Sequence, residues 1–234
     1  MKVLVIGSCT KAKDVRNCAG PLTQHDFDDP SVFQRREAEL AAWALPAGEL
    51  YTGWQHRYMM NGVKALRNRF GSPACSVKIV SAGYGLADEE QRLVPYEATF
   101  QGKPARWVHE QSNRLGIPTA IREAVIGYDA VMFLLAKNYL ISTHPPLTPG
   151  LKQRFIFLTS EVGPAFHPNS VIVPAGLKET RFGAGTMTLK GKMFELLAHG
   201  LCRAPEMWDK LLSDNTERTA LALIADGQKK LCAA

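Results

Sequence analysis

Several short stretches bring chemically capable side chains together beside small residues. The richest is Ser81 to Glu97, SAGYGLADEEQRLVPYE. Asp88, Glu89 and Glu97 are carboxylates that can activate water or stabilise positive charge on a sugar. Tyr84 and Tyr96 offer aromatic faces for stacking a base. An ordinary surface loop with solvated acids is the plainer alternative. A second stretch, Gly7 to Lys13 (GSCTKAK), sets Cys9, Thr10, Lys11 and Lys13 among small residues, so that backbone amides and ammonium groups can face an anion. It is neither a Walker loop nor G-x-G-x-x-G. Cys9 is a possible nucleophile, but nothing in the sequence lowers its pKa, and an inert thiol fits better.

Further along, Leu50 to Tyr58 (LYTGWQHRY) places Tyr51, Trp54 and Tyr58 around Arg57. Such a set can stack bases and hold phosphates, or the aromatics can simply anchor the core. Asn138, in Ala136-Lys137-Asn138-Tyr139, offers one acceptor and two donors to the edge of a base, or caps a turn. Lys178, Arg181 and Lys190 give the segment from Gly176 to Lys192 a basic, glycine-bearing character suited to a loop that touches a nucleic-acid strand.

These stretches need strands to deliver them. Apolar runs predict strands at Lys2–Gly7, Ser76–Val80, Asp129–Leu135, Arg154–Leu158 and Val171–Val173. The Cys9, Tyr84 and Asn138 stretches each follow one of them, where ligands sit in open α/β sheets. Helical patterning covers Ser31–Leu45, Gly53–Phe70, Pro104–Leu115, a further run to Ile126 after Gly116-Ile117-Pro118, and Lys190–Leu201. A last helix begins at Asp214-x-x-Glu217, which looks like a capping box. Asn17 to Pro30 reads as a polar excursion. The alternation predicts one α/β domain over residues 1–234, with a mostly parallel central sheet flanked by helices and a helical C-terminal end.

Composition narrows the function. A net charge of +6 over 234 residues favours a polyanionic partner, though only mildly. No stretch approaches the apolar length of a membrane span and no signal-peptide pattern follows Met1, so a cytoplasmic protein is expected. Five scattered cysteines without C-x-x-C and six histidines without a paired motif argue against a disulfide framework and against a bound metal. No cofactor motif is present.

Cys9-Thr10-Lys11-x-Lys13, Leu50-Tyr51-x-Gly53, and Ser81-Ala82-Gly83-Tyr84-Gly85-Leu86 followed by Pro95-Tyr96 together resemble a little-characterised α/β family. Related segments occur in the accessory domain of archaeosine transglycosylase-type proteins, and the peroxide-stress YaaA proteins are a more distant look-alike. The resemblance covers about residues 1 to 140. It implies a fold similar to uracil-DNA glycosylase and chemistry on nucleic-acid bases. The broader group includes antiphage glycosylases that excise glucosylated hydroxymethylcytosine from viral DNA. The G-Q-D-P-Y-H motif of ordinary uracil-DNA glycosylase is missing; the nearest local counterpart is Asp88-Glu89-Glu90.

Two other functions remain open at this stage. One is non-catalytic DNA binding of the stress-response kind. The other is hydrolysis of free nucleosides or nucleotides, which the basic charge mildly disfavours. No G-x-S-x-G elbow supports a serine hydrolase. Nothing in the sequence sets the oligomeric state.

Overall fold

Val3, Leu4, Val5 and Ile6 are wholly buried, and the strand they form is the centre of the molecule. The computed structural model describes residues 1–15, 18, 20–160, 170–213 and 216–231. In chain order its main elements are β1 (Val3–Ser8), α1 (Pro30–Glu39), α2 (Trp54–Phe70), β2 (Cys75–Ser81), β3 (Gly85–Asp88), α3 (Ala105–Arg114), α4 (Ile117–Ala124), β4 (Ala130–Phe133), α5 (Lys137–Ile141), β5 (Arg154–Thr159), β6 (Val171–Pro174), α6 (Leu189–Arg203) and α7 (Thr216–Leu231).

The sheet runs β6-β5-β4-β1-β2-β3. All neighbours are parallel except the hairpin β2–β3. The mostly parallel α/β domain expected from the apolar runs is therefore present. The chain first steps from β1 to β2 and later returns to β4 on the other side of β1. That reversal puts the topological switch point between β1 and β4, at the carboxyl edge of the sheet, the usual ligand position in such folds. Helices α2, α6 and α7 pack on one another, and α3 to α5 form the second helical group.

Local chemistry explains the element ends. Helix α2 closes with Arg67 and Arg69 in its last turn, where cations favour the helix dipole, and Gly71 follows at φ 90°. Gly116 at φ 66° separates α3 from α4, and Pro118 sits in the first turn of α4. The helix expected over Ser31–Leu45 stops at Glu39. Pro46 biases Leu45 to an extended conformation, and Leu45 then pairs with Leu93. The excursion after Asn17 is partly ordered by Leu22–Thr23, which pairs in parallel with Tyr96–Glu97. Asp214 lies outside the described residues, as does Cys232. Among the described residues no helix is long and apolar enough to cross a membrane.

Candidate functional site

The polypeptide leaves β1 at Ser8, and Cys9 remains tied to the sheet by its amide, which donates to the Val80 carbonyl at 2.9 Å. The next residues are zipped to the segment before α2. Lys13 and Tyr51 form an antiparallel bridge, Asp14 N donates to Leu50 O at 2.8 Å, and Thr52 N donates to Ala12 O at 3.1 Å. Thr10 closes this loop from inside, donating its hydroxyl to Ala12 O at 2.7 Å. Gly53 packs directly against it: a Cβ there would lie 2.8 Å from Thr10 Cβ. The spacing Cys-Thr-x-x-Lys and Leu-Tyr-x-Gly thus has a packing reason.

Beneath this loop lies a network of buried hydroxyls. Tyr96 Oη sits 2.8 Å from Tyr51 Oη and 2.7 Å from Ser81 Oγ. Ser81 Oγ also accepts from the amides of Gly83 and Tyr84, at 3.2 and 3.0 Å. Those two bonds use both serine lone pairs, so the serine proton goes to Tyr96. Two phenolic protons remain, and the Tyr51–Tyr96 contact uses one. On the β4 side, Cys9 Sγ is 3.1 Å from Tyr139 Oη, which lies 3.3 Å from Thr99 Oγ1. Cys9 follows β1 and Tyr139 stands in α5 just after β4, so this buried contact joins the two strand ends at the strand-order reversal.

Lys13 reaches over the network. Its ammonium lies 4.3 Å from the centre of the Tyr96 ring and donates to Thr10 O at 2.9 Å. Burial pulls its pKa below the ordinary lysine value, against the nearby Cys9 and Glu97, which favour the charge. Burial, reinforced by Cys9, raises the Tyr51, Tyr96 and Tyr139 phenols, so all three are proton donors at neutral pH. The site therefore offers hydroxyl donors, a half-buried amine, a thiol and, at Glu97, an exposed carboxylate.

Asp88 and Glu89, the other acids expected at the site, are not brought to this network. Strand β3 runs antiparallel to β2 and carries Asp88 back opposite Lys78. Three residues of strand separate Lys78 from Ser81, about 10 Å along the sheet. Glu89 goes further in that direction. Its carboxylate accepts both guanidinium nitrogens of Arg67, with Nη1 at 2.9 Å, and Arg67 Nε donates to Cys75 O at the start of β2. Glu89 is a structural ion-pair partner there, and Asp88 pairs with Lys78.

Several binding candidates also change role. Tyr96 and Tyr51 are buried network members rather than open stacking faces. Tyr84 is packed edge-on against Phe27 and Tyr96, with ring centres 5.3 Å from each. Asn138 spends both amide donors on Phe100 O and Lys103 O, at 2.6 and 2.9 Å, fastening that turn beside Tyr139 instead of reading a base. Lys178 and Arg181 are exposed on a 3-10 helix, Leu177–Phe182, not on a loop. That helix follows β6, three strands from β1, or about 14 Å across the sheet. Lys190 is buried in the first turn of α6 and offers no exposed ammonium.

Thr10 and Lys13 belong to the site, and Lys11 is exposed on the same loop. Arg57 is exposed at the rim, its guanidinium 5.4 Å from the centre of the Trp54 ring. Trp54 is 61% exposed and lies 5.7 Å from the Tyr58 ring. They border a cleft of about 370 Å³ that Tyr51 and Thr52 also line. Ser81, Thr99 and Tyr139 are site residues that the sequence reading did not select. Position at a strand end could have found Tyr139, the neighbour of Asn138. Among the described residues no group of three or more His, Cys, Asp or Glu side chains is arranged to hold a metal ion.

The fold and site define a doubly wound α/β protein with a buried hydroxyl network at its topological switch point. The chain matches no known protein-family model and no curated protein.

Proposed function

We propose that this protein is a DNA glycosylase that hydrolyses the N-glycosidic bond of a modified base, with glucosylated hydroxymethylcytosine in foreign DNA as the substrate to which the motif resemblance leads. The observation that carries this reading is the convergence of Cys9, Lys13, Tyr51, Ser81, Tyr96 and Tyr139, with Glu97 beside Lys13, at the strand-order reversal.

The chemistry follows from charge. Breaking the bond between C1′ and the base leaves the electron pair on the base and positive charge on the sugar. The Glu97 carboxylate stabilises the sugar cation and orients the water that adds to C1′. The exposed Trp54, with Arg57 over it, supplies a stacking surface and a cation for the flanking strand.

The test is mass spectrometry of bases released from DNAs carrying cytosine, hydroxymethylcytosine or glucosylated hydroxymethylcytosine. Release of one modified base by the wild-type protein, and its loss in Glu97→Gln, is expected. If every DNA stays intact while the protein still binds it with steep salt dependence, the protein is a non-catalytic binder and the glycosylase reading falls.

A further inference from the structure

Hydrolysis as drawn above leaves one group without a task. Lys13 is an amine held in place by three independent restraints: its backbone bridge to Tyr51, the Thr10 carbonyl at 2.9 Å and the Tyr96 ring at 4.3 Å. A lysine meant only to neutralise phosphate does best in solvent, on a flexible stem, as the exposed Lys11 stands on the same loop. Lys13 is half-buried instead, within electrostatic reach of a carboxylate, Glu97, and of Cys9. A desolvated lysine amine beside an acid–base group is the arrangement that attacks carbonyl carbon. The product of base excision carries such a carbon, because an abasic deoxyribose opens to an aldehyde at C1′.

We propose that the Lys13 amine forms an imine with the C1′ aldehyde of an abasic deoxyribose and cleaves the strand by β-elimination. This rests on the site being one that receives abasic nucleic acid. The neutral amine adds to the aldehyde to give a carbinolamine, which loses water to form a protonated imine. Glu97 or water takes a proton from C2′. The electron pair of that C–H bond forms the C2′–C3′ double bond, and the C3′–O bond breaks with its pair leaving on the 3′ phosphate. Water then hydrolyses the imine, returning the amine and releasing the unsaturated aldehyde end. No oxidant, reductant or metal is needed. Burial lowers the proton affinity of Lys13 and so enlarges the neutral fraction that the first step requires.

The experiment uses oligonucleotides with an abasic site made beforehand by a separate uracil-excising enzyme, so that base excision by this protein is not needed. The full chain is incubated with them in the presence of borohydride, which reduces an imine to a stable secondary amine. A covalent protein–DNA band is expected, and peptide mapping places the adduct on Lys13. Lys13→Arg keeps the charge, and its circular dichroism and unfolding midpoint report whether it folds; the band and strand scission are lost in it. Absence of a band with wild-type protein, or an adduct mapped to another amine, overturns the proposal whatever the variant does. Trapping on abasic DNA without base release from any modified DNA overturns only the excision reading. Base release without trapping overturns only this one.

Discussion

Glu89 and Glu97 lie eight residues apart in one acidic stretch, yet their substitutions separate cleanly into a stability effect and an activity effect. Glu89→Gln replaces one acceptor of a two-bond pair with Arg67, where the carboxylate side chain is 13% exposed and the guanidinium 26% exposed. Breaking a fully buried pair costs about 3–5 kcal/mol, and an exposed one contributes at most about 1 kcal/mol. Glutamine keeps one oxygen for Arg67, and Arg67 Nε keeps the Cys75 carbonyl, so the expected loss is about 1–2 kcal/mol. In a chain of this size that lowers the melting temperature by about 2–8 °C. Glu97 is exposed, and Glu97→Gln should stay within about 0.5 kcal/mol of wild type. On the glycosylase reading the rates invert this order: Glu97→Gln removes the carboxylate proposed to act on the sugar and should slow base release by about 10²–10⁴-fold, whereas folded Glu89→Gln and Asp88→Asn keep the wild-type rate. Urea unfolding with an unchanged m-value gives the first quantity, and single-turnover base release per folded molecule gives the second. A fully folded Glu89→Gln protein without activity, or an active Glu97→Gln protein, refutes the assignment of the two acids.

The hydroxyl network predicts an asymmetry between two similar substitutions. Tyr96→Phe strands the Ser81 proton in a dry site and should cost about 1–3 kcal/mol, whereas Tyr51→Phe removes one bond and should cost about 0.5–1.5 kcal/mol; equal unfolding free energies would contradict the proton count. Gly53→Ala drives a methyl group against Thr10 and should lose about 1–3 kcal/mol, with a matching loss of Lys13 trapping because the loop that carries Lys13 shifts. Lys13 has a folded pKa below its ordinary value of 10.5, so the unfolded chain binds more protons between those two pH values. Wild-type stability therefore gains on Lys13→Met as pH rises through that window, and unfolding free energies of both proteins from pH 7 to 10 that run in parallel would exclude a depressed Lys13.

The strand ends were legible because buried parallel strands are continuous apolar runs, and Gly83 and Gly85 stood out where each meets a neighbour. Gly83 faces the Phe27 ring, where a Cβ would lie 2.5 Å away, and Gly85 combines φ 75° with a Cβ position 2.8 Å from Leu115 O. The direction of the acidic run was not legible. Gly85-Leu86-Ala87-Asp88 is too short to show alternation, so nothing in it announces a hairpin that turns back along β2. A loop continuing outward and a strand returning inward have the same composition there, and only the second takes Glu89 to Arg67. The tyrosines misled for another reason. An aromatic at a strand end serves equally as an exposed platform or as a buried hydroxyl carrier, and the choice depends on partners distant in sequence: Tyr51 and Tyr96 are 45 residues apart, Cys9 and Tyr139 are 130 apart.

That long-range assembly also fits the use of hydroxyls rather than histidines in the buried network. Desolvation raises a phenol's pKa, so Tyr51, Tyr96 and Tyr139 stay protonated and weakly acidic, suited to holding hydrogen bonds rather than to giving up a proton. The same desolvation lowers a histidine's pKa, as burial does at His56, and would leave a neutral ring at physiological pH. The buried hydroxyls form the floor and the exposed Glu97 the solvent edge, where in the proposed reaction its carboxylate suits the electron-poor sugar. Lys13 lies between them, electrostatically coupled to Cys9 on the floor and to Glu97 at the edge.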